Sequence, residues 1–286
     1  MPSINDLKKD MTGFIQKQLQ DNPKTVDKII DNVCKNDDKM KTIMKTILSF
    51  LFIGLLPCAL FPERTVPLPE GVPTGYGLVY AQDFKTSSPL EAFVATDKRV
   101  WKWGKDDDHG YIEHFGKSKY AYKVRSPYNI ALIKDIEVKD FVLEVQLQQT
   151  GKEYGHRDMC IFYNFQDRSH FYYTHIASVT DNHAHNCFIV NDKPRTKISH
   201  ETTKGHKWGS KDWHDVRLVR EHASGKIEVY VNDTKKPIMR AIDKTFDWGR
   251  IGFGSFDDTG RVRNIRLYAP ESRKSKAGDP FVEGRK

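Results

Sequence analysis

The chain has 286 residues, 46 Lys and Arg against 38 Asp and Glu, and a formal charge of +8. That length admits one large β-domain, and an aromatic content of 12% is enough to fill a sheet-on-sheet core. Acidic residues are interleaved among the scattered lysines and arginines, which describes a solvated mixed-charge surface and argues against a nucleic-acid partner.

Residues 1–39 are polar and compatible with a helix, with Leu7, Met11, Phe14, Ile15 and Leu19 near helical spacing. After Met40, two lysines precede about 15 apolar residues, Ile47–Phe61, in the charged-then-hydrophobic order of a secretory signal. The run is shorter than the roughly 20 residues of a membrane span, and Pro57 interrupts it. Residues 40–61 are therefore read as a signal peptide, with 1–39 as an upstream, non-native extension. The alternative is a signal-anchor behind a true N-terminal helix. Cys58 follows Leu55-Leu56-Pro57 and has the placing of a lipidated cysteine, although proline fits that site poorly. Export predicts a secreted or periplasmic protein, touching a membrane only through a signal-anchor or a lipid on Cys58. Residues 62–77 are rich in Pro and Gly and read as a linker.

From residue 78 the pattern changes to period two. Leu78–Phe84, Trp101–Trp103, Gly110–Phe115, Ala121–Arg125 and Asn129–Ile133 read as short strands. Phe141–Gln148 is the clearest, with Phe141, Leu143, Val145 and Leu147 facing inward and Glu144, Gln146 and Gln148 outward. Met159–Phe165 and His170–Ala177 form a predicted hairpin that pairs Tyr163 with Tyr172, Ile161 with Thr174 and Met159 with Ile176. His214–Arg220, Lys226–Val231, Gly249–Phe256 and Val262–Tyr268 continue the series, the last with Val262, Asn264, Arg266 and Tyr268 on one side. Turns at Ser224-Gly225 and Asn232-Asp233 separate them. No helix intervenes, which predicts an all-β, two-sheet antiparallel sandwich. Residues 270–286 read as a loose polar tail.

The order DF, FVLEVQL, WHDVRLVR, GKIEVYVND, PIMRAID and GRIGFGSFDDTGRVRNIRLY resembles the concanavalin A-like lectin/glucanase superfamily, above all its laminin-G-like jelly-roll domains. The resemblance covers residues 78–269 and implies fold more than activity, because that superfamily includes lectins, carbohydrate-binding modules, glycoside hydrolases and polysaccharide lyases. The E-x-D-x-E run of its glucanases is absent, as are the Gln-Ile-His and Tyr-Phe-Lys stretches of its alginate lyases. A structural calcium ion is implied between the first and last strands, with Asp83, Asp257 and Asp258 as ligands. The Asp257-Asp258-Thr259-Gly260 run reads equally well as a plain β-turn.

Histidines and tyrosines concentrate between Tyr154 and Asn191. The hairpin face carrying Asp158, Cys160, Phe162, Asn164, Phe171, Tyr173 and His175 combines aromatic and polar groups, as a sugar-binding concave sheet requires. A polysaccharide or other glycan is the predicted partner, bound and in one reading cleaved by a hydrolase or lyase. Asp158, Tyr173, His175 and His183 are the candidate catalytic groups, and Arg125, His156, Arg157, Asn164, His185 and Asn186 the candidate binding groups. Arg125 or Arg157 would meet an acidic substituent. A non-catalytic laminin-G-like binding or adhesion module is the alternative, with the cluster purely structural. His156, His183 and His185 also offer a weak metal-site pattern. In a meander, Cys160 and Cys187 are separated by one strand, about 9–10 Å apart, and stay free thiols.

Overall fold

The computed structural model describes residues 68–85, 89–106 and 108–285. The extension, the signal-like segment, Cys58 and residues 62–67 of the linker lie outside the described residues. Alternating apolar residues build two large antiparallel sheets among the described ones. The back sheet runs, in spatial order, β12 (Ser199–Thr202), β15 (Met239–Ile242), β14 (Lys226–Val231), β13 (His214–Glu221), β7 (Phe141–Gln149), β17 (Gly260–Ala269), β4 (His109–His114) and β3 (Trp101–Asp106). β1 (Gly77–Gln82) pairs with the second half of β17. The front sheet runs β11 (Thr196–Lys197), β10 (Asn186–Asn191), β9 (His170–Ala177), β8 (Asp158–Asp167), β16 (Arg250–Ser255), β5 (Asn129–Ile133) and β2 (Phe93–Ala95). A small ribbon joins β6 (Ile136–Glu137) to β18 (Arg273–Lys274). This is the two-sheet jelly-roll sandwich expected from the sequence. No helix among the described residues is long and apolar enough to cross a membrane.

The core lies between the sheets. Phe141, Leu143, Val145 and Leu147 of β7 meet Val216 and Leu218 of β13 on one side, and Ile161, Tyr163, Tyr172, Ile251 and Phe253 come from the front sheet. Each fully buried aliphatic or aromatic side chain here contributes about 1.5–3 kcal/mol of transfer free energy. The hairpin register holds as expected over Met159–Tyr163, with Tyr163 opposite Tyr172, Ile161 opposite Thr174 and Met159 opposite Ile176. β8, β9 and β10 form the expected meander, and Cys160 and Cys187 are buried free thiols.

Two bulges depart from the expected alternation, each at an asparagine in the left-handed region. At Asn164 (φ 44°) the β8–β9 register shifts, so that beyond Tyr163 the next paired residue is Asp167, opposite His170. Asparagine tolerates this backbone because its short amide bonds locally, here donating to the carbonyls of Val138, Lys139 and Asp247. Gly249 abuts the bulge, where a Cβ would lie 2.2 Å from the Asn164 carbonyl carbon. The second bulge, at Asn264 (φ 51°), reverses the phase of β17. Val262 faces the core before it, and Ile265, Leu267 and Ala269 after it. Tyr268 therefore does not share a side with Val262 as a strict period of two demanded. It packs with Val72 and Val142 on the outer face of the back sheet.

Three segments read as loose or regular behave otherwise. Residues 68–76 form two tight turns, Val72 N–H to Pro69 and Tyr76 N–H to Pro73, and bury Val72. The stretch 121–125 is not a strand. It belongs to a long loop, 115–128, that crosses the outer face of the front sheet. The polar tail crosses that same face: Phe281 is fully buried against Tyr120 and Phe165, and the Ala121 N–H donates to the Gly284 carbonyl. The tail is ordered because its one large aromatic side chain has an apolar surface to cover.

Candidate functional site

The outer face of the front sheet splits into a covered part and an open part. Under the loop and tail, Phe162, Phe165, Phe171, Tyr173 and Phe188 form a second, aromatic core, with Phe165–Phe171 stacked at 4.7 Å and Tyr173–Phe188 at 5.1 Å. Tyr173 is fully buried within this region, and Asn164 is fully buried at the β8 bulge. The expectation of an exposed sugar-binding face fails for both: the loop and tail cover the apolar surface around Tyr173, and the Asn164 amide is taken up by the Val138, Lys139 and Asp247 carbonyls.

The open part is a cleft of about 590 Å³ at the other end of β8 and β9. Its floor includes Asp158 and His175, and the 115–128 loop supplies Lys117, Lys119, Tyr122, Arg125 and Tyr128. Tyr154 and His156 come from the β7–β8 loop, His183 from the β9–β10 loop, Arg195 from the β10–β11 turn, and Phe256 and Asp257 from the β16–β17 turn. Six sequence candidates thus converge: Arg125, His156, Asp158, His175, His183 and Asp257. Tyr122 and Tyr154 are among the exposed large side chains of the molecule.

The remaining candidates support the cleft or stand apart. Arg157 is buried, with its guanidinium donating to the Gln149 side chain and carbonyl and to the Gly209 carbonyl (2.7 Å), which ties the β7–β8 loop to the 203–213 segment. His185, in the left-handed region at φ 53°, accepts from the Ala177 N–H and meets the Thr203 hydroxyl at 2.9 Å. Its burial pushes its pKa down to about 4. With His185 so engaged, the His156–His183–His185 metal pattern does not assemble. Asn186 donates to the carbonyls of Asp181 and Ala184 and shapes the loop that presents His183. Asp181 accepts from the His183 and Ala184 N–H groups and contacts His156 at 2.6 Å. Asp83 is exposed beside Lys85, past the end of β1. Since Gln82 pairs with Ile265, five residues along β17 from Gly260, Asp83 is not brought to Asp257 and Asp258. The three carboxylates expected to hold calcium share no common site.

On the cleft floor, Asp158 and Asp258 are in contact. Burial, then the nearby Asp258 charge, pushes the Asp158 carboxyl well above its usual range. Asp258 is also raised by burial, against the bonds it accepts from Asp158, the Tyr154 hydroxyl (2.8 Å) and the Asp158 N–H (3.1 Å). Two carboxyls in contact hold one proton between them, and the fully buried Asp158 is the one that keeps it. Its Oδ2 accepts from the Cys160 thiol at 3.0 Å and the Phe256 N–H at 3.2 Å, and lies 3.5 Å from His175 Nε2.

Asp158, Cys160 and His175 offer ligand atoms within 4.8 Å of one another. The hydrogen bonds decide what that trio is. His175 Nδ1 accepts from the His185 N–H at 3.3 Å, and burial pushes the ring's pKa down to about 3. A neutral ring that accepts at Nδ1 carries its proton on Nε2. The nitrogen facing Asp158 is therefore a donor, with no lone pair for a metal. The trio is a hydrogen-bonded cluster that holds the Asp158 carboxyl, raised well above its usual range by burial, at the base of the cleft.

Cleft residues that the sequence reading missed come mainly from the 115–128 loop, with Arg195 from the β10–β11 turn and Phe256 from just past β16. For Cys160 the signal was present. Asp158 and Cys160 are two apart on one strand, and the expected register already set Cys160 opposite His175.

No family model matches the sequence, and no curated protein matches it. Among solved structures, the chain is similar to the carbohydrate-binding module CBM66 from Bacillus subtilis, at 14% identity over 62% of this chain and 96% of that one, with a TM-score of 0.44. It is similar to a protein of unknown function with a galectin-like fold from Bacillus subtilis, at 9% identity over 70% and 100%, with a TM-score of 0.45. It is also similar to winged bean acidic lectin, at 8% identity over 70% and 100%, with a TM-score of 0.43.

Proposed function

We propose that this protein binds a glycan in the cleft between the 115–128 loop and the β16–β17 turn. The observation that carries the reading is the cleft's lining. The rings of Tyr122, Tyr154 and Phe256 stand beside polar groups on His156, His183, Arg125 and Asp257, which is the combination that stacks on pyranose faces and bonds their hydroxyls. A cleft of about 590 Å³ lies in the ordinary range for ligand sites. An extracellular or periplasmic location, reached through the segment 40–61, suits such a ligand. The test is a panel of purified oligosaccharides titrated against the wild type and Tyr122→Ala. Binding weakened about tenfold by the substitution supports the reading, and no binding to any of the panel overturns it.

Cleavage is the second reading, favoured by one feature: burial and the Asp258 charge raise the Asp158 carboxyl well above its usual range at the base of the cleft, the direction in which a general acid is tuned. Its contact partner Asp258 is not its nucleophile, because an acid and nucleophile that flank a glycosidic bond stand about 5 Å or more apart. Release of reducing ends or unsaturated sugars, abolished by Asp158→Asn, supports cleavage. Binding without product limits the protein to recognition.

A further inference from the structure

We infer that the glycan is acidic, and that Arg125 and Arg195, clamped about the ring of Phe256, recognise its carboxylate or sulfate groups. This rests on the cleft being the glycan site and adds the class of sugar it takes.

Four cations line the cleft: Lys117, Lys119, Arg125 and Arg195. None of them forms an ion pair among the described residues, although most arginines elsewhere in the fold do, Arg217 with Glu144 and Arg240 with Glu201 among them. Against these four stand Asp257, which is exposed, and the one negative charge that Asp158 and Asp258 share beneath the floor. The field inside the cleft is therefore positive, and low-dielectric walls concentrate it.

The geometry is more specific than a charged patch. The Arg195 guanidinium lies 4.6 Å from the Phe256 ring centre and that of Arg125 5.5 Å from it. The Arg195 N–H donates to the Arg125 carbonyl at 3.1 Å, so the backbone fastens the two residues to each other. Arg195 Nε is buried and has no hydrogen-bond partner. A buried guanidinium N–H without an acceptor costs free energy that a bound acceptor would recover. Guanidinium forks match planar carboxylates and sulfates in a bidentate way, which an ammonium does not. Stacking on Phe256 holds that fork in place before the ligand arrives, lowering the entropy lost on binding. Phe256 is fixed in turn, since its N–H donates to Asp158 Oδ2. The proton-sharing pair under the cleft thus sets the aromatic platform on which the arginines lie. The pair also keeps one negative charge off the floor, and a second carboxylate there would repel an acidic ligand.

The test titrates three matched tetrasaccharides into the full-length protein at moderate salt: a uronate, a sulfated sugar and a neutral sugar. Short ligands limit non-specific attraction to the protein's overall positive charge. We expect an acidic tetrasaccharide to bind at least about tenfold more tightly than the neutral one, with the preferred acid telling uronate from sulfate recognition. Arg195→Ala and Arg125→Ala should each reduce that preference by about tenfold. Arg195→Lys, which keeps the charge and loses the fork, should behave nearly as Arg195→Ala. Equal affinity for acidic and neutral sugars, with sensitivity to Tyr122→Ala, would overturn the acidic inference while leaving the glycan site intact. An acidic preference unmoved by Arg195→Lys and Arg195→Ala would also overturn it, as bulk charge would then be responsible. No binding of any of the three would remove both readings.

Discussion

The two faces of the front sheet bury side chains to the same degree by different means. On the inner face, Ile161, Tyr163, Tyr172, Ile251 and Phe253 pack against a second sheet. On the outer face, Phe162, Phe165, Phe171, Tyr173 and Phe188 are covered by a loop and a chain end, which stop short of the edge and leave the cleft. A sheet covered by a sheet is closed along its whole length. A sheet covered by irregular chain can remain open where that chain departs, and the open end is where polar groups collect. The core side supplies stability, and the patchwork side supplies the candidate site.

Four substitutions and one change of condition press on this contrast. Phe253→Ala empties a fully buried position between the sheets, and a cost of about 3–5 kcal/mol is expected in urea unfolding. Phe281→Ala empties an equally buried position under the tail, where the chain end can readjust. A smaller loss of about 2–3 kcal/mol is expected there, with faster proteolysis after residue 270. Equal losses would mean that the tail is as firmly seated as the second sheet.

Acid separates the faces next. Burial pushes His114 and His175 down to about 3, and His185 and His206 to about 4. These rings stay neutral in the fold while the unfolded chain takes up protons below its ordinary histidine pKa near 6.5. Their contribution is therefore present above pH 6.5 and is lost as pH falls from there towards 4. Asp158 acts in the opposite sense. Its raised folded pKa means that the fold already holds a proton which the unfolded chain binds only near 3.8. The histidines outnumber it, and a net loss of about 2–4 kcal/mol between pH 7 and 5.5 is expected from chemical denaturation. Asp158→Asn mimics the protonated acid. Its stability relative to wild type should rise between pH 5 and 7 by on the order of 1 kcal/mol per pH unit. A pH-independent difference would show that Asp158 is ionised in the fold. The smallest effect belongs to Tyr122→Ala at the exposed rim, where stability should change by no more than about 0.5 kcal/mol while glycan affinity falls.

The inner face was legible in the sequence because it obeys one rule, period two. The alternation in Phe141–Leu147 and the hairpin register from Met159 to Tyr163 both follow from it. The rule failed at Asn164 and Asn264, where one left-handed residue resets the phase. Nothing in the local composition distinguishes such an asparagine from one in an ordinary turn. The outer face was half legible. Asp158 and His175 stood out as polar groups in apolar runs, and His183 as part of a histidine-rich loop. The cover did not, because the alternation of Tyr120, Tyr122 and Val124 imitates a strand, and a polar tail gives no sign that Phe281 will be captured. Arg195 carried no local signal at all. Its meaning comes from Phe256 and Arg125, which are remote in the chain and adjacent in the fold.

The most direct measurement of the central claim is hydroxyl-radical footprinting of the protein with and without a bound acidic oligosaccharide, read residue by residue by mass spectrometry. Protection confined to Tyr122, Tyr154 and Phe256 is the expected result, with Tyr173 and Phe171 unreactive throughout because the loop and tail already cover them. Protection at Tyr230 on the back sheet, or ligand-free reactivity at Tyr173, would contradict the account.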